Sequence, residues 1–276
     1  MTPVSSDMIE KKYQNLLDNL RKMKSLAVAF SGGVDSTFLL KAAKEALAGN
    51  NNTRLLAITA RSCLFPARET QEAIDFCKKE GIRQLLTEGR AMEVPGFLDN
   101  PPDRCYLCKK DTFGRFLQTA KEEGFDYLAE GSNMDDTGDY RPGMRAIAEL
   151  GIISPLKDAG LYKEEIRLLS ARLGLPTHNK PSYACLASRI PYGETISTEK
   201  LSMIEKAEAY LMQSGFKQMR VRAHGSLARI EVLPADIDRL MCRREEITKT
   251  LKGYGFSYVT ADMQGYRTGS MNEVIL

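Results

Sequence analysis

Two thiols three residues apart, a third far downstream and a loop of glycines and hydroxyls are the parts of this sequence that can do chemistry. The segment Pro102-Asp103-Arg104-Cys105-Tyr106-Leu107-Cys108-Lys109 spaces its cysteines so that a helix start turns both sulfurs to one side. The positive end of that helix, with Arg104, Lys109 and Lys110, favours the thiolate. By itself the pair reads equally as a redox couple, half of a zinc site or ligands of a cluster. Cys185 stands in Tyr183-Ala184-Cys185-Leu186-Ala187-Ser188-Arg189, where Ser188 and Arg189 suit contact with a carboxylate or phosphate. Cys63 follows an apparent strand end. Cys77 and Cys242 lie in helical patterns and read as small buried hydrophobes. The chain has only 2 histidines, His178 and His224, which disfavours a His-rich metal site. No second CxxC completes a zinc site. Three thiolates suffice for a [4Fe–4S] cluster with one open iron, able to bind an extra sulfide.

The loop is Ser31-Gly32-Gly33-Val34-Asp35-Ser36-Thr37. It follows the apolar run Leu26–Phe30, which reads as a strand buried on both faces, and leads into a helix over 38–47. Glycine permits a tight turn and a close approach to a ligand. Free N–H groups and the helix dipole favour a phosphate, and Ser31, Ser36 and Thr37 add hydroxyls. Asp35 suits Mg²⁺ held through water. The lysine of GxxxxGK[ST] and the spacing of GxGxxG are both missing. The heptapeptide resembles the PP-loop of the N-type ATP pyrophosphatases, which include GMP synthetase, NAD synthetase and several thiolation enzymes. That resemblance implies cleavage of ATP between the α and β phosphates and transfer of AMP to a substrate oxygen.

A second constellation begins at a strand end, Glu130-Gly131-Ser132-Asn133-Met134-Asp135-Asp136, and continues through Asp139-Tyr140-Arg141-Pro142-Gly143. In a parallel sheet the carboxyl ends of the strands form the ligand crevice, so Gly131, Asp136 and Arg141 are expected to face the same crevice as the loop. Arg141 suits a phosphate or carboxylate, and Asp136 a metal or substrate. Near the C-terminus, Arg220-Val221-Arg222 alternates along a strand, which sets both guanidinium groups on one face. They suit the phosphate of a nucleotide or, structurally, ion pairs to Glu231 or Glu208.

The elements that must position these residues divide into two patterns. Helices over 8–24, 67–79, 110–122 and 163–173 alternate with strands over 26–30, 55–59, 84–87 and 127–130, which predicts an α/β parallel sheet with right-handed crossovers. After residue 190 the order becomes helix 198–214, strands 219–223 and 228–233, helix 235–253 and strand 256–262. This predicts a smaller C-terminal α+β domain, so the expected division is 1–182 and 183–276. Hydrophobic residues at 43% and charged residues at 27% match an ordinary globular protein. No run of about 18 apolar residues occurs, and residues 1–17 lack the apolar core of a secretory signal. The expected location is therefore the cytosol, where cysteines stay reduced. The formal charge of +3 is too even for a polybasic nucleic-acid or membrane protein. Residues 190–276 hold 12 Lys+Arg against 11 Asp+Glu, which disfavours tRNA docking.

Taken together, SGGVDST, GDYRPG, CLASRIPYG and RVRAHG…ARIEV resemble the LarE family of sulfur transferases over most of residues 25–270. The resemblance implies ATP-dependent insertion of sulfur into pyridinium-3,5-biscarboxylic acid mononucleotide, the precursor of the nickel-pincer nucleotide cofactor of lactate racemase. It implies a homo-oligomer, a hexamer, and a sulfide or other sulfur donor. One branch of the family sacrifices the sulfur of a single cysteine. The other carries a CxxC and a later cysteine that hold a [4Fe–4S] cluster. This sequence has both parts, so Cys105, Cys108 and Cys185 are the implied ligands. The competing expectations are sacrifice of Cys185, a tRNA thiolation enzyme and a non-catalytic nucleotide or metal sensor.

Overall fold

The computed structural model describes residues 6–49, 52–137, 142–181, 184–267 and 269–272. The chain forms two compact units. The first comprises 1–62, 67–91 and 105–183; the second comprises 63–66, 92–104 and 184–276.

The first unit holds α1 (Ser6–Arg21), β1 (Ser25–Ala29), α2 (Val34–Leu47), β2 (Arg54–Arg61), α3 (Ala67–Glu80), β3 (Gln84–Glu88), α4 (Arg104–Glu122), β4 (Tyr127–Ala129), α5 (Pro142–Glu149), α6 (Pro155–Asp158) and α7 (Lys163–Arg172). Its four strands lie in the order β3-β2-β1-β4, all parallel. The two-residue period of a strand explains the layers. Leu26, Val28 and Phe30 enter a core with Leu16, Leu17 and Leu20 of α1, Phe38 and Leu39 of α2 and Ile166 of α7. Ala27 and Ala29 point the other way, toward Phe116 and Ala120 of α4 and Ile147 of α5. A strand covered on both faces has no polar side, hence its unbroken apolar sequence. Residues after α5 extend the sheet beside β4, where Glu130 N–H donates to the Ile153 carbonyl at 2.9 Å and Ile153 N–H to that of Leu128 at 3.1 Å.

Two short helices, α5 and α6, were not expected from periodicity. Each begins on a proline, whose fixed φ and missing N–H suit the first helical position. Two others start earlier than expected. Helix α2 already includes Val34–Thr37, and α4 begins at Arg104, so its cysteines lie within its first turns.

In the second unit α8 (Thr198–Gln213) packs on β5 (Met219–His224). A hairpin with positive φ at Gly225 leads to β6 (Leu227–Val232), antiparallel to β5. The expected helix over 235–253 is two, α9 (Ile237–Cys242) and α10 (Arg244–Gly253). Arg243 leaves the helical region at φ −104°, ψ 14°, and its guanidinium reaches Ser214 O and the Glu246 carboxylate. Strand β7 (Tyr258–Ala261) runs parallel to β6, giving a mixed sheet β5-β6-β7. The two early segments are stitched into this unit by backbone bonds. Leu186 N–H donates to Leu64 O at 2.8 Å, Gly193 N–H to Asn100 O at 3.0 Å and Ile196 N–H to Leu98 O at 2.9 Å. Asn100 takes a φ of 53°, which asparagine tolerates better than most residues. Its amide donates to the carbonyls of Ile190 and Pro191 at 3.2 and 2.6 Å.

Candidate active site

Strand order reverses between β1 and β4, and the loops at the carboxyl ends of such neighbours make the crevice of an open α/β sheet. The residues after β1 are Phe30 and the loop Ser31–Thr37. Gly32 holds a φ of +72°, and a Cβ there would meet the Ala73 Cβ at 3.1 Å. The close approach of α3 and the left-handed backbone both require glycine. Gly33 occupies the N-cap of α2 without a side-chain cap, and Thr37 N–H makes a helical bond to Gly33 O at 3.0 Å. The N–H groups of Val34, Asp35 and Ser36 thus lead the helix, where the dipole is positive. Ser31 and Ser36 brace the turn through their hydroxyls, 3.0 Å apart. The Thr37 Oγ1 is buried with no hydrogen-bond partner among the described residues. Buried hydroxyls are rarely left so, and this one fits an oxyanion seated on the loop.

The loop after β4 packs directly on that turn. A Cβ on Gly131 would lie 3.0 Å from the Ser36 nitrogen and 3.3 Å from the Asp35 carbonyl carbon. Gly131→Ala is therefore expected to push the two loops apart and raise the KM for ATP by about 10–100-fold, since ångström-scale misplacement carries effects of that size. Steady-state kinetics with varied ATP checks it. Asn133 Nδ2 donates to Asp35 Oδ1 at 3.3 Å, and Asp136 accepts from Asn133 N–H at 2.9 Å. Glu130 is buried and accepts from the hydroxyls of Ser132 at 2.8 Å and Ser154 at 2.5 Å. Arg141 and its neighbours 138–140 lie outside the described residues.

Two lysines that the sequence reading passed over stand on the loop. The Lys163 ammonium pairs with the Asp35 carboxylate, while the Lys163 N–H donates to Asp135 at 2.7 Å. A lysine opening a helix opposes the dipole, and that mismatch was a legible signal. Asp35 thus bonds both Lys163 and Asn133. Lys180 donates to the Gly32 carbonyl at 3.1 Å and pairs with Glu69 and Glu72, each at 2.6 Å. Burial works against its charge, but the hydrogen bonds to Glu69 and Glu72 prevail and hold its pKa above the ordinary value.

The thiol pair is joined to this loop system inside the same unit. Cys105 and Cys108 are half-exposed and not disulfide-bonded. At i, i+3 they share a helix face. A Cβ on Gly143 of α5 would meet Lys109 Cδ at 2.6 Å and the Cys105 carbonyl oxygen at 3.5 Å. Next to it, the Met144 sulfur lies 3.3 Å from the Ser132 hydroxyl. Helix α5 grips α4 further along: Glu149 takes Lys110 and, at 2.9 Å, the Tyr106 hydroxyl, and the Arg145 guanidinium lies 3.8 Å over the Tyr106 ring.

In the second unit Cys185 caps a one-turn 3-10 helix, Leu186–Arg189. The Ser188 hydroxyl donates to the Cys185 carbonyl at 2.8 Å. Arg189, expected at a substrate, is 1% exposed and turned inward. It donates to both oxygens of Glu208 at 2.9 and 3.0 Å and to the carbonyls of Ala184 and Cys185 at 2.6 and 3.1 Å. It positions the turn that bears Cys185. Arg220 and Arg222 are buried too, at 4% and 6% exposure. Arg222 makes a two-pronged pair with Glu231 at 3.1 and 2.8 Å and donates to Ser188 O at 3.1 Å. Arg220 donates to Met219 O at 2.7 Å and lies over the Tyr266 ring. Burial, then the neighbouring Arg189, lower its pKa. Cys77 is buried as expected, and burial pushes its thiol up to about 12. Cys242 is exposed at the end of α9, where its helical pattern had suggested a buried hydrophobe. Among the described residues no group of three or more His, Cys, Asp or Glu is placed to hold a metal ion, and no helix is long and apolar enough to cross a membrane.

Comparison with known proteins resolves the family. The PP-loop domain family matches residues 5–88. A pyridinium-3,5-bisthiocarboxylic acid mononucleotide synthase of Lactiplantibacillus plantarum is 34% identical over 264 residues, 96% of this chain and 95% of that one. The chain belongs to the LarE family. An uncharacterized Synechocystis protein is 39% identical over 97% of this chain and 99% of its own. Another, of Methanocaldococcus jannaschii, is 31% identical over 94% and 98%. As a LarE-family member the chain is an ATP-using PP-loop enzyme, and the uncapped turn at Ser31–Thr37 lies within the matched PP-loop domain.

Proposed function

We propose that this chain converts a carboxylate of pyridinium-3,5-biscarboxylic acid mononucleotide to a thiocarboxylate, with ATP cleaved to AMP and pyrophosphate, as a step toward the nickel-pincer nucleotide of lactate racemase. The observation that carries the reading is the contact chain within the first unit. Asn133 bonds Asp35 in the nucleotide loop, Ser132 bonds Met144, and Gly143 packs on the helix turn that bears Cys105.

ATP, bringing Mg²⁺ with its phosphates, sits on the N–H groups of Val34–Ser36. A substrate carboxylate oxygen attacks the α-phosphorus; the bond to pyrophosphate breaks and an acyl adenylate forms. Fixed donors at the loop, and the Lys163 ammonium when it turns from Asp35, stabilise the developing charge. A sulfur nucleophile then attacks the adenylate's carbonyl carbon and AMP departs. For the sulfur, Cys105, Cys108 and Cys185 are the proposed ligands of a [4Fe–4S] cluster. Such a cluster, held by these thiolates, would supply an iron able to carry sulfide. Sacrifice of the Cys185 sulfur is the alternative source. By the same family resemblance the working form is a cytosolic homo-hexamer.

The test incubates the protein, purified without oxygen, with ATP and the biscarboxylate mononucleotide. Expected are AMP, pyrophosphate and a product in which sulfur replaces oxygen, together with iron and acid-labile sulfide in the protein. Thiolated tRNA with salt-sensitive binding, and no pyrophosphate from the mononucleotide, would overturn the reading.

A further inference from the structure

We propose that Cys63 and Cys185 form a two-thiol redox site, which a peroxide closes to a disulfide and a thiol reductant reopens. Its meaning for activity rests on the reading of Cys185 as a sulfur-handling thiol; the disulfide itself does not.

Four observations lead there. First, the fold places residues 63–66 in the second unit, with Cys185, although the residues on either side of that segment belong to the first. Second, the residue following each cysteine is joined to its counterpart, Leu186 N–H to Leu64 O at 2.8 Å. That bond sets the two thiol-bearing stretches side by side within the second unit. Third, Cys63 is exposed and Cys185 half-exposed, and neither is disulfide-bonded. Fourth, the main chain at Cys185 is fixed by Ser188 and Arg189, both bonded to its carbonyl, so its sulfur is offered from a rigid turn.

The remaining thiols have other settings. Cys77 is buried, with a thiol that resists ionisation. Cys105 and Cys108 belong to the first unit. Cys242 is exposed at the end of α9.

The chemistry balances with a peroxide as oxidant. The Cys63 thiolate attacks the peroxide oxygen; the O–O bond breaks, leaving a sulfenic acid and an alcohol, or water from hydrogen peroxide. The Cys185 sulfur attacks the Cys63 sulfur, the S–O bond breaks, and a second water leaves with the two thiol protons accounted for. One peroxide is reduced and two thiols are oxidised. The disulfide caps Cys185 before it climbs to the irreversible sulfinic state, so the site protects the thiol from overoxidation.

The experiment treats the full chain with hydrogen peroxide, alkylates the remaining thiols and maps tryptic peptides without reduction. Expected is a linked pair, residues 62–68 joined to 173–189, holding the greater part of Cys185 and vanishing after dithiothreitol. In Cys63→Ser the pair is absent and Cys185 accumulates as sulfinic acid, which the reductant does not reverse. The proposal is overturned if the wild-type chain yields no such pair, or if Cys185 links instead to Cys105, Cys108 or Cys242. The readout needs no substrate, so a chain that forms the pair but makes no thiocarboxylate sinks the sulfur-transfer reading and leaves this one standing.

Discussion

Cys185→Ser is expected to reduce thiocarboxylate formation by about 10³-fold or more while pyrophosphate release stays within about tenfold of the wild type. The asymmetry follows from where the parts lie. The glycine-rich loop, its lysines and Gly131 belong to the first unit and Cys185 to the second. Serine preserves the shape of the turn, since the bonds to residue 185 from Ser188 and Arg189 end on its carbonyl. What is lost is a sulfur that no oxygen can replace as soft ligand or as donor. The measurement pairs a pyrophosphate assay with mass spectrometry of the mononucleotide. Thiocarboxylate formed at the wild-type rate would remove Cys185 from the mechanism. Cys105→Ser separates the two sulfur sources. If the three thiols hold a cluster, this variant loses the visible absorbance of the cluster and transfer together. If Cys185 gives up its own sulfur, it keeps a single turnover.

Arg189→Met is expected to lower stability by about 3–5 kcal/mol, the effect of removing one partner of a buried ion pair. Arg189 and Glu208 have side-chain exposures of 1% and 5%, so water does little to screen the carboxylate left behind. Val221 N–H still donates to Glu208 at 3.1 Å, yet one amide does not neutralise a buried charge. For a chain of this size the loss amounts to roughly 6–20 °C in Tm. Arg189→Met combined with Glu208→Leu removes both charges and is expected to recover most of it. Scanning calorimetry of the two variants decides the matter; an unchanged Tm in the single variant would show that the pair contributes nothing.

The sheet was legible because a strand covered by helices on both faces can carry only apolar residues, and Leu26–Phe30 are all apolar. The turn from strand to helix at Ser31–Thr37 was legible because strand, glycines and helix stand in one continuous stretch. Less could be read where partners are distant in sequence. Lys163 and Lys180 meet the loop from 128 and 148 residues away; the lysine opening a helix marks Lys163 as unusual, but no local pattern names its partner. The arginines show the reverse case. The alternation of Arg220 and Arg222 was plain, but whether a strand face looks to solvent or inward depends on what covers it. Carboxylates Glu208 and Glu231 make burial tolerable, and Glu231 was visible beforehand only as one of two structural partners. The split of the helix over 235–253 was hidden for a similar reason: Arg243 has ordinary helix propensity, and its departure is stabilised by a carbonyl 29 residues earlier.

The bonds from Leu64, Leu98 and Asn100 to residues 186, 193 and 196 have a consequence for biosynthesis. During translation these early residues leave the ribosome long before their hydrogen-bonding partners exist. Until residue 193 has emerged, the carbonyl of Asn100 and its amide must be served by solvent. The second unit therefore cannot mature as an autonomous tail, nor be excised by a single cut near residue 183. A fragment of 184–276 would lack the strands of chain that tie its leading edge, whereas adding residues 63–66 and 92–104 in trans would be the minimal complement.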